Sequence, residues 1–261
     1  VVILLAVVAL LCNVAHAEFI EINLNFGDTV QDTFPDSDDL RMEFGQVGSY
    51  TNGSTIDIYA TLEADAPWSS NNPSNNGSVS DDIRVQVENG SSVELTLNLW
   101  SDDTYETAFS PSGDYEWMLG FYDIDGTSSG TADILTLKTA GTYTVTQDTF
   151  LAIDDSDPAQ PIFDGSDAEG NIPGELGIVP PLTEDQADVA VLYTLQNTNS
   201  VSFAYEVTEG GDTGRNLLVD GGSLRGALDA FDPVTVTIPE PATMALLGIG
   251  GLFSLRRKRS S

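Results

Sequence analysis

Residues 83–100 read Ile-Arg-Val-Gln-Val-Glu-Asn-Gly-Ser-Ser-Val-Glu-Leu-Thr-Leu-Asn-Leu-Trp, with Asn89-Gly90 near the middle. Apolar and polar residues alternate on both sides of that dipeptide, the period of a strand with one buried face. Asn-Gly is the strongest short turn signal, because both residues tolerate positive φ. Two strands, 83–87 and 93–100, are therefore expected to form a hairpin around Glu88-Asn89-Gly90-Ser91.

The same pattern extends outward in both directions. Ile20, Ile22, Leu24 and Phe26 fall on one face of 18–26, and Ile56, Ile58, Ala60 and Leu62 on one face of 55–63. Segments 41–47, 117–124, 134–138, 142–147, 187–196, 201–208 and 217–219 behave alike, with turn residues between them. Only 224–230 has any helical period within 18–237. Short, evenly punctuated strands without helices predict a sandwich or barrel. The expected fold class is all-β: a single jelly-roll-like β-sandwich, with a long Pro- and Gly-rich loop over about 154–181.

Both ends of the chain differ from this body. Val1 to Leu11 is apolar, and Ala15-His16-Ala17 forms a small-x-small cleavage site before Glu18, the layout of a signal peptide removed after Ala17. With no initiator Met and no basic n-region, the leader is expected to begin upstream of Val1. Cys12 follows Leu10-Leu11, which are too bulky for a lipobox. At the other end Ile238-Pro239-Glu240-Pro241 precedes an apolar run, 242–255, and then Arg256-Arg257-Lys258-Arg259. Prolines 239 and 241 keep the start of this tail extended. The run is shorter than the roughly 20 residues that cross a bilayer comfortably, and the four cations would hold its end at the cytoplasmic face.

Removing both ends narrows the chemistry. The single Cys and the single His of the chain, Cys12 and His16, lie in the leader, so the body at 18–237 has neither. No disulfide can staple it, and Ser-His and Cys-His nucleophile pairs and the common zinc and haem sites are excluded. Lys138 is its only lysine. In the body forty acids face five bases, a net charge of −35. Nucleic acid and anionic lipid are repelled by such a surface, and cations are attracted.

Acidic clusters are the remaining candidates for binding. In a strand, Asp123 and Asp125 would share one face about 7 Å apart, a spacing at which a cation relieves repulsion. Ca²⁺ takes six to eight oxygens, and Asp154, Asp155 and Asp157, or Asp164 and Asp167, could complete a shell. Asp36, Asp38 and Asp39 form a similar cluster. None of these fits an EF-hand loop; the alternative is solvated charge in an acid-rich chain. Trp68, Trp100 and Trp117 could stack sugars or pack the core. Arg215, in a Gly-rich loop, is expected to neutralise a carboxylate, with sugar or partner contact as the alternative. The three Asn-Gly-Ser triplets at Asn52, Asn76 and Asn89 match a glycosylation pattern but read first as turns.

The tail resembles the PEP-CTERM sorting signal of Gram-negative bacteria: Pro239, Glu240 and Pro241 match the motif, Ile238 replaces the usual Val, and the apolar run and basic stop follow in order. The resemblance implies processing by exosortase, transient anchoring in the inner membrane through 238–261, and a cell-surface or extracellular-matrix location. In the body, 132–145 loosely resembles strand pairs of bacterial extracellular sandwich modules. Together these imply an exported, non-enzymatic structural or adhesive protein, handled by signal peptidase and exosortase and stabilised by Ca²⁺. An exopolysaccharide-binding module is the alternative, and a carboxylate-dependent glycosidase or lyase a third reading, which would need two acids facing each other across a cleft.

Overall fold

Burial follows the alternation cleanly along 91–100, 133–137 and 200–207. The computed structural model describes residues 19–27, 29–31, 40–168, 182–222, 224 and 226–240. Its strands are β1 (Ile20–Ile22), β2 (Thr29–Gln31), β3 (Arg41–Asn52), β4 (Ser54–Ala64), β5 (Gly77–Val79), β6 (Asp82–Glu88), β7 (Ser91–Trp100) and β8 (Tyr115–Tyr122). They continue with β9 (Asp133–Leu137), β10 (Gly141–Thr146), β11 (Ala152–Asp154), β12 (Ile162–Asp164), β13 (Val191–Gln196), β14 (Ser200–Val207), β15 (Gly214–Asp220) and β16 (Pro233–Ile238). A short helix, α1 (Glu184–Asp188), precedes β13. In β7, Val93, Leu95, Leu97 and Leu99 are buried while Glu94, Thr96 and Asn98 face outward.

Two sheets pack face to face. The first runs β16-β10-β13-β8-β15-β6-β5, with β1 beside β8, and the second runs β11-β12-β9-β14-β7-β4-β3-β2. All pairs are antiparallel except β1 with β8. The fold is the expected β-sandwich. Inward residues of both sheets, among them Phe44, Leu97, Trp117, Phe121, Phe203 and Tyr205, form one core. Each large aliphatic side chain fully buried there contributes about 1.5–3 kcal/mol relative to exposure.

The hairpin expected over 83–100 is not formed. β6 pairs with β5 and β15 in the first sheet, whereas β7 pairs with β4 and β14 in the second. The Asn89-Gly90 turn is an arch that carries the chain from one wall of the sandwich to the other. Gly90 adopts φ +70° and donates its N–H to Val207 O at 2.8 Å, and Asn89 Nδ2 donates to Gly210 O at 3.0 Å. Alternation marks which residues face the core but not which wall they belong to. The pair expected within 132–145 separates in the same way, β9 joining the second sheet and β10 the first. Asn52-Gly53, by contrast, does close a hairpin, β3 with β4.

A second, smaller core lies on the outer face of the first sheet. Met118, Tyr122, Leu192 and Leu218 are covered there by Leu182, Ala187, Ala190, Leu224 and Leu228. The helix α1 is fixed by a capping box, in which Thr183 Oγ1 accepts from Gln186 N and Gln186 Oε1 accepts from Thr183 N. Gly120 permits the cover, since a Cβ there would lie 2.3 Å from Leu224 Cδ1. Within the expected loop at 154–181, residues Ile162–Asp164 are a strand paired with β9 and β11.

Candidate functional site

The tail leaves the body from β16, a strand absent from those expected from the sequence. Among the described residues β16 pairs only with β10, in register from Thr146 opposite Pro233 to Gly141 opposite Ile238. Five of its six side chains are exposed, including Val234 at 42 % and Val236 at 37 %; Ile238 alone is buried, at 2 %. Thr144 and Thr235 face each other with their Oγ1 atoms 2.8 Å apart. Gly141 is required at the anchor point, because a Cβ would meet Thr194 O at 2.7 Å. The folded body thus runs through Ile238, the first residue of the expected sorting segment. Pro239 follows immediately and Glu240 is exposed. Pro241, Arg256, Arg257, Lys258 and Arg259 lie outside the described residues, as do the leader residues Ala15 and Ala17. Among the described residues no helix is long and apolar enough to cross a membrane.

Arg215 is not in a flexible loop. It is the second residue of β15 and is buried. Its Nη2 donates to Asp125 Oδ1 and its Nε to Asp133 Oδ2 at 2.7 Å. Asp133 Oδ1 also accepts from the Tyr205 hydroxyl at 2.6 Å. The network joins both sheets, since Arg215 and the segment after β8 belong to the first and Asp133 and Tyr205 to the second. Two carboxylates share one guanidinium, and burial pushes Asp133 up to about 7 against the pull of Arg215 and Tyr205. Arg215 therefore neutralises two carboxylates from a buried position.

The same geometry revises the Asp123/Asp125 expectation. β8 ends at Tyr122 and Asp123 takes φ +69°, so strand alternation stops before the two acids. Asp125 is fully buried on Arg215, while Asp123 is half-buried. Asp154, Asp155 and Asp157 are exposed; Asp154 Oδ1 accepts from Ser156 N and Asp157 Oδ1 from Ala159 N, as in Asx turns. Asp36, Asp38 and Asp39 lie outside the described residues. Among the described residues no three acids converge to share an ion.

A carboxyl pair that the sequence reading missed sits on the outer face of the first sheet. Asp82, Asp220 and Tyr122 end or begin neighbouring strands there, and all three are buried. Asp220 Oδ2 accepts from Gly222 N at 2.9 Å and Leu224 N at 3.1 Å. Desolvation, opposed by Tyr122 and assisted by Asp220 and Asp81, pushes Asp82 up to about 7. No local signal marks this pair, because Asp81-Asp82 reads as a solvated turn until the pairing of β6, β15 and β8 brings Asp220 and Tyr122 beside it.

The tryptophans form no platform. Trp117 is fully buried and donates Nε1–H to Thr198 O at 2.6 Å. Trp68 packs against the core with its Nε1–H on Gln86 O, and Trp100 donates to Thr61 Oγ1, both at 3.0 Å. The outer face of the second sheet carries a polar groove between Asp65, Glu94, Thr136, Lys138 and Glu206, crossed by a Lys138–Glu94 ion pair.

Residues 237–259 match the PEP-CTERM protein-sorting motif. The motif marks the chain as an exosortase-sorted surface protein. None of the curated proteins compared with the chain matches it. Among solved structures, the N-terminal domain of a Streptococcus gordonii adhesin aligns at 11 % identity and TM-score 0.36, over 74 % of this chain and 49 % of its own. The adhesin domain of PrgB from Enterococcus faecalis aligns at 11 % identity and TM-score 0.40, over 70 % and 63 %. The same domain bound to DNA aligns at 13 % and 0.38, over 69 % and 66 %. The chain spans less than two thirds of each of these, and a likeness so distant assigns no activity.

Proposed function

We propose that this is an exported, non-enzymatic structural or adhesive module of a bacterial surface or extracellular matrix, cut from its leader by signal peptidase and delivered by exosortase. The supporting observation is the junction at Ile238–Pro239, where a folded sandwich passes directly into the sorting motif. The body adds no nucleophile pair, having neither His nor Cys, and its best-buried acids serve Arg215 and Tyr205. In a Gram-negative cell that processes the wild-type chain, replacing Pro239, Glu240 and Pro241 by Ala should leave the precursor at full length in the membrane fraction and abolish surface labelling. Surface labelling equal to wild type would remove the reading.

An exopolysaccharide-binding role is the finer alternative. The groove bounded by Glu94, Lys138 and Glu206 favours it, the tryptophans being engaged elsewhere. A glycan array should show binding that Lys138→Ala weakens if that groove is a sugar site. For calcium, a saturable rise in Tm with Ca²⁺ and not Mg²⁺ that is lost on Asp154→Asn with Asp157→Asn would support an ion at the exposed turn over 154–157; an equal rise with both would mark charge screening.

A further inference from the structure

β16 ties the sorting motif to the body with no chain between them. Ile238 is in the core and Pro239 is the next residue. Enzymes and domains that bind extended peptides use main-chain N–H and C=O groups together with side chains. On β16 the groups along one edge are already bonded to β10, and the sandwich blocks approach from that side.

We propose that β16 is a detachable strap, which unpairs from β10 so that Pro239-Glu240-Pro241 can reach exosortase at the membrane. The proposal rests on the reading of the tail as an exosortase substrate. β16 is suited to detachment by its place, since among the described residues it has a single neighbour and its loss leaves every other pairing of the first sheet intact. Its side chains suit it too, because only Ile238 leaves the core when the strand lifts. Segments so held open locally at free energies well below global unfolding. The six residues released would add about 20 Å of extended chain between body and motif.

Charge points the same way. The other terminal strands of the two sheets, β5, β11 and β2, have three residues each, whereas β16 has six. Exposed edges are ordinarily blunted by brevity or by charged side chains. In a chain with 41 acids, Pro233-Val234-Thr235-Val236-Thr237-Ile238 contains none, nor any base. An uncharged strap can approach anionic headgroups that repel the rest of the body.

The test uses the full chain in cells that process the wild type, following conversion of precursor to product by pulse-chase. Thr144→Cys with Thr235→Cys clamps the strap to β10: the two residues are paired opposite each other with touching side chains, within disulfide reach. The body contains no other cysteine, so the pairing is unambiguous. The oxidised clamp should slow processing by at least about tenfold, in proportion to the lost open population. Reductant should restore it, and so should a flexible Gly/Ser spacer of roughly 12 residues inserted between Ile238 and Pro239 of the clamped chain. Processing of the oxidised clamp at the wild-type rate would overturn the proposal, as would a block that the spacer does not relieve. Normal processing of the Pro239, Glu240 and Pro241 to Ala variant would instead remove the sorting reading itself.

Discussion

Arg215 shows how much one buried residue decides. Its guanidinium is the cation that Asp125 and Asp133 would otherwise lack in the interior, and removing one partner of a buried ionic network strands the rest. Arg215→Met should destabilise the body by about 3–5 kcal/mol, measured by urea unfolding at pH 7. Adding Asp133→Asn should recover part of that loss, because one stranded carboxylate becomes a neutral amide still able to meet Tyr205; an additive loss would argue against a shared network. At this scale the sequence supplied the partner's type and not its address. That an arginine, one of five bases in a −35 body, would find a carboxylate was legible from charge alone. That it would do so from inside a strand, across two sheets, was not, because Gly210 to Gly214 read as loop continuing through it. Asp123 and Asp125 misled for a related reason: one residue at positive φ ends the alternation on which the shared-face argument stood.

Elements were legible as strands and illegible as neighbours. Alternation located β4, β7, β9, β10 and β14 closely, since burying one face of a strand imposes period two whatever lies beside it. Pairing is set by tertiary partners, so Asn52-Gly53 closes a hairpin and Asn89-Gly90 an arch from nearly the same local sequence. Both glycines need positive φ, and Gly→Ala at either should cost about 1 kcal/mol. Gly90→Ala should cost more than Gly53→Ala, because its Cβ would approach Glu209 Cγ to 3.1 Å while that of Gly53 meets nothing within 4 Å; paired denaturant titrations check the order. β16 escaped notice although Val234, Val236 and Ile238 alternate with Thr235 and Thr237, because Pro233 opens the run and Pro-Glu-Pro follows it, so that it reads as the approach to the tail. Hydrogen exchange should reveal its standing. The amides of 234–238 that bond β10 should exchange at least about 100-fold faster than those of 117–122 in the central strand β8, as expected for an edge that opens locally. Equal protection would mean β16 opens only with the whole sandwich.

For the whole molecule, pH and salt separate two sources of acid dependence. The surface carries the excess of acids, whose mutual repulsion weakens as ionic strength rises. Asp82 and Asp133 are buried and far less screened, and both are pushed up to about 7. In the unfolded chain they titrate near the ordinary carboxylate value, so between about pH 4 and 7 the folded state holds protons that the unfolded state has released. A raised folded-state pKa contributes stability that is fully present at the acid end of that window and is lost as pH rises through 7. For Asp82 the loss is on the order of 4 kcal/mol at most, three units at about 1.4 kcal/mol each. Unfolding free energy should therefore fall from pH 5 to pH 8 at low salt, and at about 1 M NaCl, where the Debye length is near 3 Å, a residual fall should remain. Asp82→Asn keeps the shape and cannot ionise beside Asp220, so it should remove the Asp82 share of that residual fall, leaving that of Asp133, and stabilise the body at pH 8 relative to wild type with little effect at pH 5. If high salt abolishes the slope in the wild type, surface repulsion alone governs the acid dependence; if the substitution leaves the slope unchanged, Asp82 contributes nothing to it.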